Sequence, residues 1–339
     1  MTEQATIGRK TYDESVVVDA LNVSNWDSSA VYESLGASGV SAINATIATW
    51  EGFTETLDAV AAWPDRFRRH ADVVTPVRSV DDILQAKRDG KVGVVLGFQN
   101  ASPIENRLDR LAIFHALGVR VIQVTYHERN LLGNGCYEPK DFGLSSFGVD
   151  AIREMNRLGI LIDLSHVGDK TTLDSIEASE KPVAVTHANA RSFCDRKRNK
   201  ADDALKALAE KGGVVGSTCI VSFLPEWTDA TVESYVNAID YLVEMIGVDH
   251  VGIGTDYTQD QPTEFWKYIS SQEGTKFPAK WALPDTERFH EMTLYPKGLE
   301  TPDKLPVLAD ALSERGYKPE DIAKVLGGNW MRLFREVWE

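Results

Sequence analysis

Cysteine is scarce in this chain and has no pattern. Cys136, Cys194 and Cys219 are an odd number with no C-x-x-C spacing, which excludes a disulfide framework and a thiolate zinc site. No base partner is evident beside any of them, so each reads as a structural or incidental thiol. Positive charge is also in deficit, with 36 Lys and Arg against 51 Asp and Glu and a formal net charge of −15. Such a chain repels phosphate backbones and anionic lipid, so neither nucleic acid nor a membrane surface is expected as a partner. Apolar stretches never reach the roughly 18 uncharged residues that suggest a membrane span. The opening MTEQATIGRKTYDES lacks the apolar core of a signal peptide. The expected location is cytoplasmic. Also missing is any Pro/Ser-rich linker or low-complexity tract.

What is present is alternation. Apolar, β-branched runs recur at VVVDA (16–20), VSAINATIA (40–48), VGVVLGF (92–98), VRVIQVTY (119–126), ILIDLSH (160–166), PVAVTHA (182–188), GVVGSTCIV (213–221) and HVGIGTDY (250–257). Helical patterns lie between them, at 106–116, 147–158 and 201–211, and glycine stops each one at Gly118, Gly159 and Gly212-Gly213. Strands alternating with helices argue a parallel sheet, and eight of them close a (β/α)8 TIM barrel, an α/β fold. Barrels of this kind run past 300 residues as one unit, so 339 residues are read as a single domain, 1–339. The segment 258–301, with Trp266, Trp281 and Gly274, is the least barrel-like and reads as a lid or specificity insertion. The closing PEDIAKVLGGNWMRLFREVW reads as helices over 319–338 broken at Gly327-Gly328, its Trp330, Phe334 and Trp338 serving as core or interface.

In such barrels the reacting groups stand at the C-terminal ends of the strands. The polar residues there are Asp19 and Asn22, Gln99 and Asn100, Tyr126 and His127, His166, His187 and Asp256. His166 and His187 end successive strands, so their imidazoles are placed to converge on one ion. Asp256 is placed either to complete a metal site or to take a proton from an attacking water. Arg198 stands in a cluster with Arg196 and Lys197, which reads by default as solvated; near the site its fork would clamp a substrate carboxylate. His127 and Asn100 are candidates for substrate contact, and His290 for reaching the site from the insertion. His70, His115 and His250 read as surface or packing residues.

The runs FGLSSFGVDAIREMNRLGILIDLSHV, PVAVTHANARSFCDRKRN, HVGIGTDY and VLGGNWMRLFREVW resemble the membrane (renal) dipeptidase family, zinc-dependent barrels of the amidohydrolase type. The resemblance spans about Gly143 to the C-terminus in order and spacing, and the first half follows more loosely. It implies that His166 and His187 are ligands of the second zinc, Arg198 the substrate-carboxylate arginine and Asp256 the catalytic aspartate. It also places the first-zinc His-x-Asp on Leu21 and Val23, the bridging glutamate on Gln99, and the carbonyl-polarising histidine on Tyr126, so four functional positions are replaced. Leu21 and Val23 cannot ligate, and a neutral Gln99 amide offsets none of the charge of two adjacent cations. One Zn2+ per chain is therefore expected, held by His166, His187 and Asp256 with Gln99 or water. Tyr126 is left to donate to the oxyanion.

The expected activity is dipeptidase-like cleavage of an amide bond in a small substrate bearing a free carboxylate, a dipeptide or an N-acyl amino acid. Two alternatives share the same residues: a metal-free or weakly metallated member that binds an amino-acid-like ligand without hydrolysing it, and a non-peptide hydrolase or lyase. The resemblance also implies a homodimer.

Overall fold

A computed structural model describes residues 3–282, 289 and 291–339. His290 lies outside these residues. Nine parallel strands run in chain order: β1 (Val18–Asn22), β2 (Ala42–Ala48), β3 (Val74–Pro76), β4 (Val92–Phe98), β5 (Val119–Gln123), β6 (Leu161–Asp163), β7 (Ala184–Val185), β8 (Val214–Ser217) and β9 (Val251–Ile253). The sheet order is β2-β1-β9-β8-β7-β6-β5-β4-β3, and a further β2–β4 pairing closes the ring. Eight strands thus form the (β/α)8 barrel. The ninth, β3, pairs with β4 outside the closure. Its three residues, VTP, end in a proline that cannot donate to a ladder and are too few to show a period, which is why the sequence pattern misses it.

The eight apolar runs of the sequence all contain barrel strands, but the hydrogen-bonded parts are shorter. VVVDA moves two residues on, to Val18–Asn22, and HVGIGTDY keeps only Val251–Ile253, leaving its polar end as irregular backbone at the barrel mouth. Along a regular strand the side chains alternate faces. Val94 and Leu96 of β4 pack outward against helices while Val95 packs inward; in β5, whose pairing with β4 shifts register, the alternation is broken, with Val121 inward and both Val119 and Ile122 outward. The interior layer draws Ala42, Val95, Val121, Leu161, Ala184 and Val214 from six strands.

A C-terminal helix, Asn329–Trp338, plugs the bottom of this layer. Trp330 is fully buried there and its indole N–H donates to the Ile253 carbonyl (3.1 Å). The fit dictates glycine at 252, where a Cβ would lie 2.3 Å from the indole nitrogen. Asn329 adds bonds to Val248 and Val251 carbonyls at 2.7 and 2.8 Å. Phe334 is buried as well, so Trp330 and Phe334 are core residues of this chain. The break in the preceding sequence is a π turn over Lys324–Gly328.

The helix before β6 shows how local sequence sets the entry to the mouth. The Ser145 hydroxyl accepts from Gly148 N (2.9 Å), capping Ser146–Leu158, and Gly159 ends it at φ 72°, a left-handed conformation that favours glycine. The chain then enters β6 directly. Among the described residues no helix is long and apolar enough to cross a membrane.

Candidate active site

Two buried aspartates build the mouth, and they do so in the same way. Asp163, the last residue of β6, accepts from Thr186 N (2.9 Å) and Thr186 Oγ1 (2.6 Å), and also from the Ser165 amide and hydroxyl (3.0 and 2.6 Å). This staples the end of β6 to the end of β7 and fixes His166 and His187, which follow Ser165 and Thr186. On β1, Asp19 accepts from Thr255 N (2.8 Å) and Thr255 Oγ1 (2.7 Å), fixing Asp256, the next residue. Burial raises both carboxyls, Asp19 to about 6. Their hydrogen bonds pull the other way, because they favour the charged form. In the sequence Asp19 stands out only as a polar residue near a strand end, and Asp163 does not stand out at all. The signal available is a buried aspartate in a strand together with a threonine directly before a site residue, in VTHA and GTDY.

The imidazoles form a chain. His187 Nδ1 lies 2.7 Å from Thr186 Oγ1. That hydroxyl gives its proton to Asp163, so His187 Nδ1–H is the donor and its Nε2 keeps a lone pair. His187 Nε2 faces His166 Nε2 at 2.9 Å, and His166 Nδ1 faces His127 Nδ1 at 3.1 Å. All three rings are held well below the ordinary imidazole range, first by burial and then by the charge of Arg198, so they are neutral. The Tyr126 ring stacks on His166 at 4.2 Å. Burial pushes its phenol far above the usual range, so it is a donor and not a base. His127 has φ 57° and Asp256 φ 62°; Asp and His are among the residues enriched in that left-handed region, and such positions cluster at functional sites.

Arg198 is 1% exposed, whereas Arg196 and Lys197 are exposed. The solvated-cluster reading therefore holds for its two neighbours and not for Arg198. Its Nη1 donates to Ser165 O (2.9 Å) and Nη2 to His187 O (2.7 Å), the backbone beside both histidines. Its Nε, buried, meets no partner among the described residues. Lys200 anchors the same loop beneath the mouth through Leu164 O, Val167 O and Thr172 Oγ1 at 2.7–3.0 Å.

Arg198, Asp256, His166, His127, Tyr126 and Gln99 line one cavity, closed over by residues of segment 258–301 that include Phe265, Trp266 and Trp281. Burial raises Asp256 to about 7, with Arg198 pulling it down and Asp19 and Asp163 pushing it up. Gln99 donates to Thr46 Oγ1 (3.0 Å). Val23 lines the cavity, and Leu21 is buried in β1. Asn100 does not join them. Its Oδ1 accepts from Asn130 Nδ2 (2.9 Å) and it lines a separate cavity, so its expected substrate contact is corrected to a loop-fixing bond.

The sequence profile of the membrane dipeptidase family (Peptidase family M19) matches residues 19–271 and 287–339, most of the chain. The chain belongs to that family. It is 30% identical over 275 residues to dipeptidase tcpJ of Claviceps purpurea, covering 79% of this chain and 56% of that one. To dipeptidase aclJ of Aspergillus oryzae it is 29% identical over 276 residues, covering 78% and 57%. The chain thus spans little more than half the length of the curated relatives it matches. An amidohydrolase structure from Pseudomonas aeruginosa superposes with a TM-score of 0.92 at 37% identity, covering 98% of this chain and 99% of that one.

Membrane dipeptidases are metallopeptidases. Among the described residues no group of three His, Cys, Asp or Glu side chains is disposed to hold an ion. The reason lies in His166, whose two nitrogens face opposite ways, Nε2 to His187 and Nδ1 to His127, so three imidazoles cannot share one point. The expected set of three or four protein ligands is thereby reduced to two nitrogens. Those two are the nitrogens that would hold a zinc ion. Zinc–nitrogen distances of about 2.1 Å at a tetrahedral angle require the nitrogens roughly 3.4 Å apart, about half an ångström beyond the present 2.9 Å. The 2.9 Å separation of the two Nε2 atoms is hydrogen-bond distance, met when His166 carries its proton on Nε2; an ion would take the place of that proton. Thr186 and Asp163 stand behind His187 as the supporting carboxylate relay that such ligands use.

Proposed function

We propose that this member of the membrane dipeptidase family hydrolyses one amide bond in a small substrate with a free carboxylate, using a single zinc at His166 and His187. The observation that carries this reading is the convergence, in one cavity, of His166, the Asp256 carboxyl and the partly unpartnered guanidinium of Arg198, with the buried His187 Nε2 2.9 Å from His166 Nε2. An ion in the histidine seat supplies Lewis acidity toward a carbonyl and toward water.

The chain's own groups do the rest. Arg198, a buried cation whose carbonyl partners carry no countercharge, holds the substrate carboxylate and sets the register of the amide. Asp256, raised to about 7, takes the proton of the attacking water and returns it to the departing amine, since a group near neutral pH is matched to both transfers. Tyr126, held protonated, donates to the oxygen on which negative charge develops. The aromatic residues of 258–301 act as the lid that excludes bulk water.

The test is a hydrolysis screen of zinc-supplemented protein against dipeptides and N-acyl amino acids, with Asp256→Asn as control. Turnover in the wild type, with loss of at least about 100-fold in the variant, supports the reading. Full turnover by Asp256→Asn removes the proposed base.

A further inference from the structure

The charges of the cavity are unbalanced for a dipeptide. A dipeptide brings a carboxylate and an ammonium, and Arg198 answers the first. Asp256 is the one carboxylate among the described lining residues, and the hydrolysis assigns it to the proton transfers. Glu128 points away, accepting from the indole N–H of Trp281 (3.1 Å), and with Glu138 and Glu273 it lines the neighbouring cavity instead. Much of the wall is apolar, with Val221, Phe265, Trp266 and Leu294, and Phe223 lies against the Arg198 guanidinium. Tyr137 and Trp281 stack in parallel at 5.4 Å, with His127 against the indole at 4.3 Å. Val23 and Gln99 add neutral surface on the β1 and β4 side. An ammonium placed here is desolvated with no anion of its own among the described residues and shares the cavity with a buried guanidinium.

We infer that the preferred substrate is an N-acyl amino acid with an uncharged, aryl-bearing acyl group, and that a free α-ammonium on the acyl side is rejected. This rests on the amide-hydrolase reading above and deepens it. Water adds hydroxyl to the acyl carbon and hydrogen to the nitrogen as the C–N bond breaks, releasing an arylalkanoic acid and a free amino acid.

The test is a matched pair, Phe-Ala and 3-phenylpropanoyl-Ala, which differ only in the ammonium, each made with L- and with D-alanine. Steady-state hydrolysis and calorimetric binding are both measured on the zinc-supplemented full chain. The expected result is a kcat/KM at least ten-fold higher for the deamino compound of the accepted hand, and tighter binding of that compound. Equal or better cleavage of the dipeptide overturns the inference while leaving the hydrolase reading standing. If neither compound is cleaved the hydrolase reading fails, and binding alone decides: tighter binding of the deamino compound supports the inference, and tighter dipeptide binding, or none by either, overturns it.

Discussion

The two halves of the barrel mouth differ in chemistry although the same backbone geometry builds both. On the β6–β7 side, Asp163 grips Thr186 and presents His187 against His166, with Arg198 folded over the strand ends. On the β1–β4 side, Asp19 grips Thr255 equally well, yet the mouth there carries Val23 and the neutral Gln99, with Leu21 buried beside them. The same aspartate–threonine bond thus supports histidines in one half and, in the other, Asp256 beside a neutral wall. On the proposed reading metal chemistry belongs to one half and substrate shape to the other, with Asp256 at the seam.

The sharpest break of this contrast is His187→Ala, which removes half of the two-nitrogen seat. Hydrolysis is expected to fall on the order of 10³-fold, with zinc content lost from the purified protein. Arg198→Ala comes next. It strips partners from two buried carbonyls, a cost of roughly 2–4 kcal/mol seen as a lowered denaturation midpoint, and raises KM for carboxylate substrates about 100-fold. The paired changes Thr186→Val and Thr255→Val separate the halves. The first should weaken zinc binding by roughly 10–100-fold in a chelator competition, and the second should leave zinc affinity intact while displacing the pH profile of kcat/KM.

The smallest effect concerns pH. Asp256 sits at about 7 in the folded chain, against about 3.9 in an unfolded one. The folded form therefore binds this proton more tightly, and the group's contribution to stability falls as pH rises from about 4 to about 7. In metal-stripped protein at pH 8, Asp256→Asn should be more stable than wild type by about 1–2 kcal/mol, allowing for its partial exposure to the cavity. Activity runs opposite, with kcat/KM falling as pH drops through about 7, because the base must be ionised.

The strand-end histidines and Asp256 were legible because a barrel puts the ends of its strands at one mouth, and a pattern of apolar runs suffices to find those ends; Arg198, by pattern one of a solvated cluster, was marked by the family resemblance alone. The staples were not. Asp19 and Thr255 are 236 positions apart, and a threonine before a site residue does not say which strand aspartate it meets. Asn100 misled for the complementary reason: adjacency to a strand end does not fix side-chain direction, and its amide turns to Asn130. The opposed nitrogens of His166 depend on ring rotation, which sequence does not encode.

The central claim, a cation held by two imidazoles in the polar half of the mouth and nowhere opposite, is tested most directly by titrating chelator-stripped protein with zinc and counting equivalents by calorimetry. One tight equivalent in the wild type, abolished in His166→Ala with the fold intact, is the predicted result. Two equivalents, or one that survives loss of His166, would contradict it.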